Sequence, residues 1–145
     1  MTVECVVNIS EGRDGPVIDR IASAAERTLL DVHTDADHHR SVLTLGGPRH
    51  DVVTASRAVV RDACALIDVR THTGVHPRFG AADVVPFVAL DGAIDDALAL
   101  RDDFARWAGP NLQLPCFLYG PERSLPTVRR EAFRSIPPDT GPAAP

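Results

Sequence analysis

The sequence contains few cysteines, and they are poorly placed for a disulfide framework or a zinc site. Cys5, Cys64 and Cys116 are odd in number and far apart, and no C-x-x-C pair occurs. All three lie in apolar runs, which favours buried structural cysteines over a nucleophilic one. We therefore expect a reducing compartment, of which the cytoplasm is the simplest.

Targeting signals, long apolar runs and excess basic charge are lacking as well. The first residues, MTVECVVNIS, have neither the basic start nor the apolar run of a signal peptide. No stretch approaches the roughly 20 apolar residues that a membrane span needs. The net charge is −5 and no basic stripe is visible. We therefore expect no membrane or nucleic-acid partner, and an anionic ligand would have to be held by local arginines.

The 145 residues are 44% hydrophobic, which suits one domain with an ordinary core. Apolar runs with a period of two predict strands, and runs with a period near 3.6 predict helices between them. The strands are expected at 3–10, 28–35, 41–47, 83–90 and 114–120, and the helices at 13–27, 52–67, 92–109 and 124–135. The order β-α-β-β-α-β with an added α-β predicts an α/β (α+β) fold with a ferredoxin-like core and a mixed sheet covered by helices on one face. Residues 1–136 are expected to fold, and the proline-rich residues 137–145 to be a linker or tail.

Five of the six histidines occur in two groups. One group is DVHTDADHHR, where His33, His38 and His39 alternate with three aspartates. The other is THTGVHPRFG, with His72 and His76. Three interpretations remain open: a histidine acting as a general acid and base, a divalent metal site, or a solvated loop without chemistry. No spacing matches a standard metal signature such as H-E-x-x-H.

Arginines and short turns beside these groups are candidate ligand sites. Arg40 and Arg78 each lie beside the histidines, and a guanidinium matches a carboxylate in shape, although a surface ion pair is the plainer interpretation. Ser10-Glu11-Gly12 is either an anion-binding turn or a lead into a helix. Gly46-Gly47-Pro48 lacks the spacing of a phosphate loop and is expected to be a turn into a helix.

Together the motifs resemble those of the glutamate formiminotransferases. The opening E-C-V-V-N-I-S-E-G is similar to that family's E-C-V-P-N-F-S-E-G. L-L-D-V with D-A-D-H-H-R-S-V-L-T resembles its second strand, loop and third strand. The long segment L-I-D-V-R-x-H-x-G-V-H-P-R-F-G-A-A-D-V-V-P-F is similar to L-I-D-M-R-x-H-x-G-x-H-P-R-M-G-A-x-D-V-x-P-F. L-Y-G and L-P-x-V-R-R close a match that runs over nearly the whole chain.

The resemblance implies an activity in histidine degradation: transfer of the formimino group from N-formimino-L-glutamate to the co-substrate tetrahydrofolate, with no metal. It implies His76 as the catalytic residue, because the family's catalytic histidine belongs to the His-Pro-Arg unit. The candidate substrate-binding residues are Arg78, Arg40, Asn8, Ser10, His39 and Gly80. Val75 stands where relatives often have glutamate, and His33 where they often have aspartate.

The resemblance covers only the N-terminal subdomain of a two-subdomain unit in which ligands lie between the halves. The missing C-terminal subdomain is therefore an expected partner, and a homodimer is the expected assembly. Two alternatives to the transferase remain. One is a folate-independent hydrolase of N-formyl- or N-formiminoglutamate, and the other is a non-catalytic binding module that has kept the fold.

Overall fold

A computed structural model of the chain describes residues 1–71 and 80–143. The chain divides into two compact units, Met1–Ala97 and Leu98–Pro145. The helices and strands follow the order β1 (Thr2–Ile9), α1 (Gly15–Ser23), β2 (Leu29–Asp35), β3 (Arg40–Pro48), α2 (Arg49–Leu66), β4 (Ala82–Val84), β5 (Phe87–Ala89), α3 (Ile94–Leu112) and α4 (Leu125–Glu131). Short 3₁₀ turns occupy Glu26–Thr28 and Val69–Thr71.

The first unit contains a five-stranded sheet with the order β2-β3-β1-β4, in which β5 also pairs with β1. Each described pairing is antiparallel. The strand and helix order β-α-β-β-α-β is the one expected for a ferredoxin-like core, and the α+β class is confirmed. β1 is central to the sheet, since it pairs with β3 along one side and with β4 and β5 along the other.

Alternation along β1 creates the core. Val3, Cys5, Val7 and Ile9 are fully buried, whereas the residues between them are half-buried and face the opposite side of the sheet. α2 packs against β1 and β3, and α1 packs against α2. The helices supply apolar side chains at helical spacing, namely Ile18, Ile21, Val52, Val59, Val60 and Ala63. These two helices therefore cover one face of the sheet.

α1 begins where a side chain can replace a missing backbone partner. Asp14 is the N-cap, and its carboxylate accepts a hydrogen bond from the backbone N–H of Val17 at 3.2 Å. Pro16 lies in the first turn, where a helix has no need of its N–H. These two features place the start of the helix six positions after the end of β1, after the Ser10-Glu11-Gly12 turn.

Besides the shorter α1 and α4, three features differ from the sequence-based expectations. Gly46, Gly47 and Pro48 do not break β3 but remain in it, paired with β1. The expected strand at 83–90 is divided into β4 and β5, and the carbonyl of Pro86 between them accepts a hydrogen bond from the N–H of Val6. Residues 114–120, expected to form an added strand, contribute a single bridge between Cys116 and Thr140.

The second unit is tied together by arginines and by its last residues. Arg101 on α3 donates two hydrogen bonds to the Glu122 carboxylate, at 2.7 and 2.9 Å. In the proline-rich segment, Thr140 donates its hydroxyl to the carbonyl of Ala105, and Asp139 is paired with Arg123. Residues 139–140 are thus fixed by hydrogen bonds within this unit. Among the described residues, no helix has the length and hydropathy needed to cross a membrane.

Candidate functional site

The C-terminal end of β1 is joined to the start of β4 by a buried serine. The Ser10 hydroxyl donates to the carbonyl of Gly80 at 2.6 Å, and the Ser10 N–H donates to the carbonyl of Ala81 at 2.8 Å. Ser10 is 1% exposed. These bonds fix Gly80, the first described residue after the second histidine group, against the end of β1.

Glu11 and Gly12, which follow Ser10, are held by residues on the β3 side of β1. The Ser41 hydroxyl of β3 donates to the carbonyl of Glu11 at 2.6 Å. The N–H of Gly12 donates to Nδ1 of His39 at 2.9 Å. We call this arrangement the β1 junction: Ser10, Glu11 and Gly12 together with the three residues that hold them, Gly80, Ser41 and His39. It joins β1, the β2–β3 turn and the start of β4.

Gly12 is required at the β1 junction because there is no room for a side chain. A Cβ atom on this residue would lie 2.3 Å from the carbonyl oxygen of Asp35 and 2.5 Å from the backbone nitrogen of Arg40. Both contacts are with backbone, which cannot rotate away as a side chain can. The close approach places Gly12 directly against the base of the β2–β3 turn.

Glu11 uses its own carboxylate to satisfy the turn that leads into α1. Its Oε2 atom accepts from the N–H of Arg13 at 3.0 Å and from the N–H of Asp14 at 3.1 Å. Since Gly12 donates to His39, each of these three N–H groups has a partner within the protein. The arrangement favours a lead into a helix over an anion-binding turn.

The β2–β3 turn holds the adjacent histidines His38 and His39 in fixed positions. Asp35 accepts from the N–H of His38 at 3.1 Å, and its second oxygen lies 2.6 Å from Nδ1 of the same residue. These two bonds hold the pKa of Asp35 below its ordinary value. His39 has a φ of +53°, a region that only a few side chains adopt readily. Arg40 then begins β3.

The face of the sheet opposite α2 presents polar groups in a row at the same end. Asn8 of β1 pairs with Val42 of β3, which pairs with His33 of β2. Asn8 is half-buried and its amide donates to the carbonyl of Val6 at 3.2 Å, while His33 is exposed. Directly paired residues share a face of the sheet, so this row lies beside the β1 junction.

Five candidate residues are gathered at this end of the sheet, on three neighbouring elements. They are Asn8, Ser10, His39, Arg40 and Gly80. His76 and Arg78 lie outside the described residues. Sequence reasoning did not single out Ser41, and its only signal was a serine at a buried position in the alternation of β3. It also left the carboxylate of Glu11 without an assigned partner.

Other possible chemistry is limited within the part of the chain that the structure describes. No group of three or more histidine, cysteine, aspartate or glutamate side chains there could hold a metal ion. None of the cysteines in the described residues forms a disulfide. Burial, and to a lesser degree the charge of Glu4, raises the pKa of the Cys5 thiol, and burial also raises that of Cys116. Neither has the lowered pKa of a catalytic thiolate.

Fold and site together define an antiparallel α+β domain with a ferredoxin-like core and a polar junction at one end of its sheet. The family whose pattern matches residues 2–144 is the N-terminal subdomain of the formiminotransferase domain. The chain belongs to that family, as the motifs predicted.

Curated relatives agree with this assignment. The chain is 41% identical over 143 residues to the glutamate formimidoyltransferase of Thermoplasma acidophilum and 38% identical over 146 residues to that of Streptococcus pyogenes. These matches cover 91% and 93% of the chain but 47% and 49% of the relatives. The formimidoyltransferase-cyclodeaminase of Rattus norvegicus is 36% identical over 162 residues, covering 98% of the chain and 30% of that protein. The chain thus spans about half, or less, of the relatives that it matches.

Proposed function

We propose that this chain supplies one wall of the active site of a glutamate formimidoyltransferase, which moves a formimino group from N-formimino-L-glutamate to tetrahydrofolate. Support comes from the family and from the names of the relatives. The observation that carries the proposal is the bond between Ser10 and Gly80. It ties Gly80, two positions after the His-Pro-Arg unit, to the part of the sheet where the other candidate residues gather.

His76 is proposed as the catalytic residue. Transfer requires the attacking folate nitrogen to lose a proton and the departing glutamate nitrogen to gain one. An imidazole can accept the first proton and return it in the second step, because histidine titrates near neutral pH. Residue 76 precedes Gly80 by four positions, so chain length alone keeps their Cα atoms within about 14 Å of each other.

The remaining candidates are proposed to bind and orient the substrates. Arg78 and Arg40 are suited to carboxylates, of which formiminoglutamate has two and the folate tail at least two. Asn8 and His39 provide polar groups at the end of the sheet. Ser10 and Gly80 contribute through the backbone, since the Ser10 hydroxyl is buried and donates to Gly80. Tetrahydrofolate enters as a co-substrate, and no step requires a metal.

The proposal also includes the part of the active site that this chain does not supply. Folate is long and needs a deep site, so we propose that the portion of the relatives beyond the matched region supplies the second wall. The sheet face that carries Asn8 and His33 is the surface offered to it. A homodimer and a cytoplasmic location complete the proposal. The latter rests on the odd number and wide spacing of the three cysteines.

The test uses the complete reading frame that contains this chain. Purified enzyme is assayed for 5-formiminotetrahydrofolate with formiminoglutamate, with and without tetrahydrofolate. We expect His76→Ala to lower kcat by about 10²-fold or more, the usual contribution of a general acid and base. His50→Ala, an exposed histidine in the first turn of α2, is the matched control and is expected to retain the wild-type rate.

Other outcomes would contradict the proposal in distinct ways. Release of ammonia or formate without folate would indicate a hydrolase, and folate binding without turnover would indicate a binding module. Normal turnover by His76→Ala would remove that residue as the catalyst. Strong inhibition by a chelator would show that a metal takes part.

A further inference from the structure

One ring nitrogen at the β1 junction lies between two groups with opposite requirements. Nδ1 of His39 is 2.9 Å from the N–H of Gly12, which is a donor, and 3.3 Å from Oε2 of Glu11, which is an acceptor and already receives the N–H groups of Arg13 and Asp14. A ring nitrogen carries either a lone pair or a proton, so it can satisfy only one of them at a time. The two side chains are only 13% and 15% exposed, which limits the water available to replace a lost partner.

The neighbouring histidine provides a contrast. Nδ1 of His38 lies 2.6 Å from Oδ2 of Asp35 and must therefore carry a proton. The hydrogen bond from Gly12 requires the opposite of His39: a lone pair on Nδ1 and, in the neutral ring, the proton on Nε2. Two adjacent histidines thus differ in which nitrogen is protonated, because one faces a carboxylate and the other a backbone N–H.

We propose that His39 is a proton-responsive positioning residue, which holds the N–H of Gly12 when its ring is neutral and the carboxylate of Glu11 when its ring is charged. Protonation at Nδ1 removes the acceptor of Gly12 and supplies a donor to Glu11. This inference stands on the geometry of the β1 junction. It rests on the proposed function only where it extends to substrate binding.

The exchange of partners affects the site because Gly12 has no free space around it. The position that a Cβ would take on Gly12 is filled by the backbone of Asp35 and Arg40, so a shift of Gly12 toward that side would displace the first residue of β3. Glu11 and Ser10 are held separately, by Ser41 and by contact with Gly80. The charged state of His39 therefore releases one of the three ties of the β1 junction and leaves two in place.

Several other charged or titratable groups lie in the segments that form the β1 junction, and the experiment must separate them. They are Glu11 and Arg13 before α1, Asp35, Asp37 and His38 in the β2–β3 turn, and Arg40 at the start of β3. Arg13 also ties this region together, because its Nε donates to the carbonyl of Ala36 at 2.9 Å. Variants at His38 and Glu11 serve to assign the response to His39.

Asparagine is the appropriate replacement for His39. It tolerates the φ of +53° better than most residues, and its amide oxygen can accept a hydrogen bond from Gly12. It does not titrate. His39→Asn therefore conserves the backbone and the acceptor while removing the response to pH.

The experiment is a pH titration of the ¹⁵N-labelled 145-residue chain from roughly pH 5 to 8, the range in which histidines change charge. We expect the Gly12 amide resonance to titrate in the wild type and in His38→Asn, and to be constant in His39→Asn. In long-range ¹H–¹⁵N spectra at high pH, Nδ1 of His39 should be unprotonated and Nδ1 of His38 protonated. A constant Gly12 resonance in the wild type, or a titration that persists in His39→Asn, would overturn the proposal.

A second variant covers the case in which His39→Asn does not fold. Glu11→Gln retains the shape of the side chain but removes the charge that favours the protonated ring, so the midpoint of the Gly12 titration should move to lower pH. An unchanged midpoint counts against the proposal. These resonances are measured without substrate, so the outcome of the titration does not depend on the outcome of the transferase assay. In the complete enzyme, His39→Asn should flatten the pH dependence of KM more than that of kcat.

Discussion

Gly12 shows how one residue without a side chain can determine the geometry of a site. We expect Gly12→Ala to destabilise the first unit by about 1–3 kcal/mol, the usual cost of forcing extra atoms into a packed position. The reason is the 2.3 Å separation between the new Cβ and the carbonyl oxygen of Asp35. The measurement is urea denaturation followed by circular dichroism.

Gly15→Ala is the matched control for that substitution. Gly15 begins α1, and no heavy atom lies within 4 Å of the position its Cβ would take. Alanine favours helix over glycine by up to about 1 kcal/mol, so this variant should be as stable as the wild type or slightly more so. Equal losses of stability in both variants would show that the close approach at Gly12 is unimportant.

Cys5 is expected to be inert as long as the domain is folded. Burial raises the pKa of its thiol, so almost no thiolate is present at neutral pH. An alkylating reagent at pH 8 should therefore modify Cys5 only after denaturation. Mass spectrometry of the peptides, with half-buried Cys64 as the internal comparison, provides the measurement. Rapid labelling of Cys5 in the native protein would contradict its place in the core.

At the scale of elements, the ion pair between α3 and Glu122 makes the second unit sensitive to acid. Hydrogen bonds from Arg101 lower the pKa of Glu122 to about 2, from an ordinary value of 4.5. A carboxylate with a lowered pKa stabilises the folded state fully above its unfolded pKa, and that contribution is lost as the pH falls through the folded one. The loss should therefore occur between pH 4.5 and about 2.

Glu122→Gln tests this dependence. We expect the variant to melt at a lower temperature than the wild type at pH 7, and the difference to shrink as the pH falls below 4.5. Trp107, which belongs to α3 and is the only tryptophan, reports on this unit by fluorescence. Glu131→Gln, at the end of α4, is the control. A constant difference between Glu122→Gln and the wild type at all pH values would rule out the linkage.

The same scale shows what the sequence could and could not predict. Periodicity was sufficient for β1 and for the buried faces of the first two helices, because their buried residues follow a regular spacing. It gave no reason for the glycine at position 46, where Leu30, at a register shift in β2, has its Cδ1 atom 2.7 Å from the position that a Cβ would take. Such a contact between strands leaves no local signal.

The candidate site, too, could be predicted from the sequence only in part. The motifs singled out Ser10, His39, Arg40 and Gly80, and these residues do lie together at one end of the sheet. The ties between them could not be predicted, because the donors and acceptors are 27 to 70 positions apart in the chain. The role of His76 remains a prediction.

At the scale of the whole molecule, we expect these 145 residues alone to give no useful turnover of formiminoglutamate. The chain covers 47% to 49% of its formimidoyltransferase relatives, and clamping donor and acceptor together can supply about 7–11 kcal/mol of the barrier reduction. A chain that forms only half of the cleft would lose most of this lowering of the barrier. The measurement is transfer to tetrahydrofolate by the purified chain after a cooperative unfolding transition has confirmed its fold.

Complementation sharpens this experiment. Addition of the separately produced portion of a formimidoyltransferase relative that lies beyond the matched region should restore transfer, and the same mixture made with His76→Ala in this chain should not. A rate for the chain alone that equals that of a full-length relative would refute the half-site. Restoration by the His76→Ala mixture would assign the catalytic group to the other part.

The central position of β1 has a consequence for how the protein is made on the ribosome. β1 is synthesised before every strand that pairs with it, and about 70 residues separate its end from the start of β4. At roughly 5–20 residues per second, synthesis of that stretch takes several seconds. During this interval one or both edges of an apolar strand lack their native partners, so the nascent chain offers a binding site to chaperones just when its sheet cannot yet close.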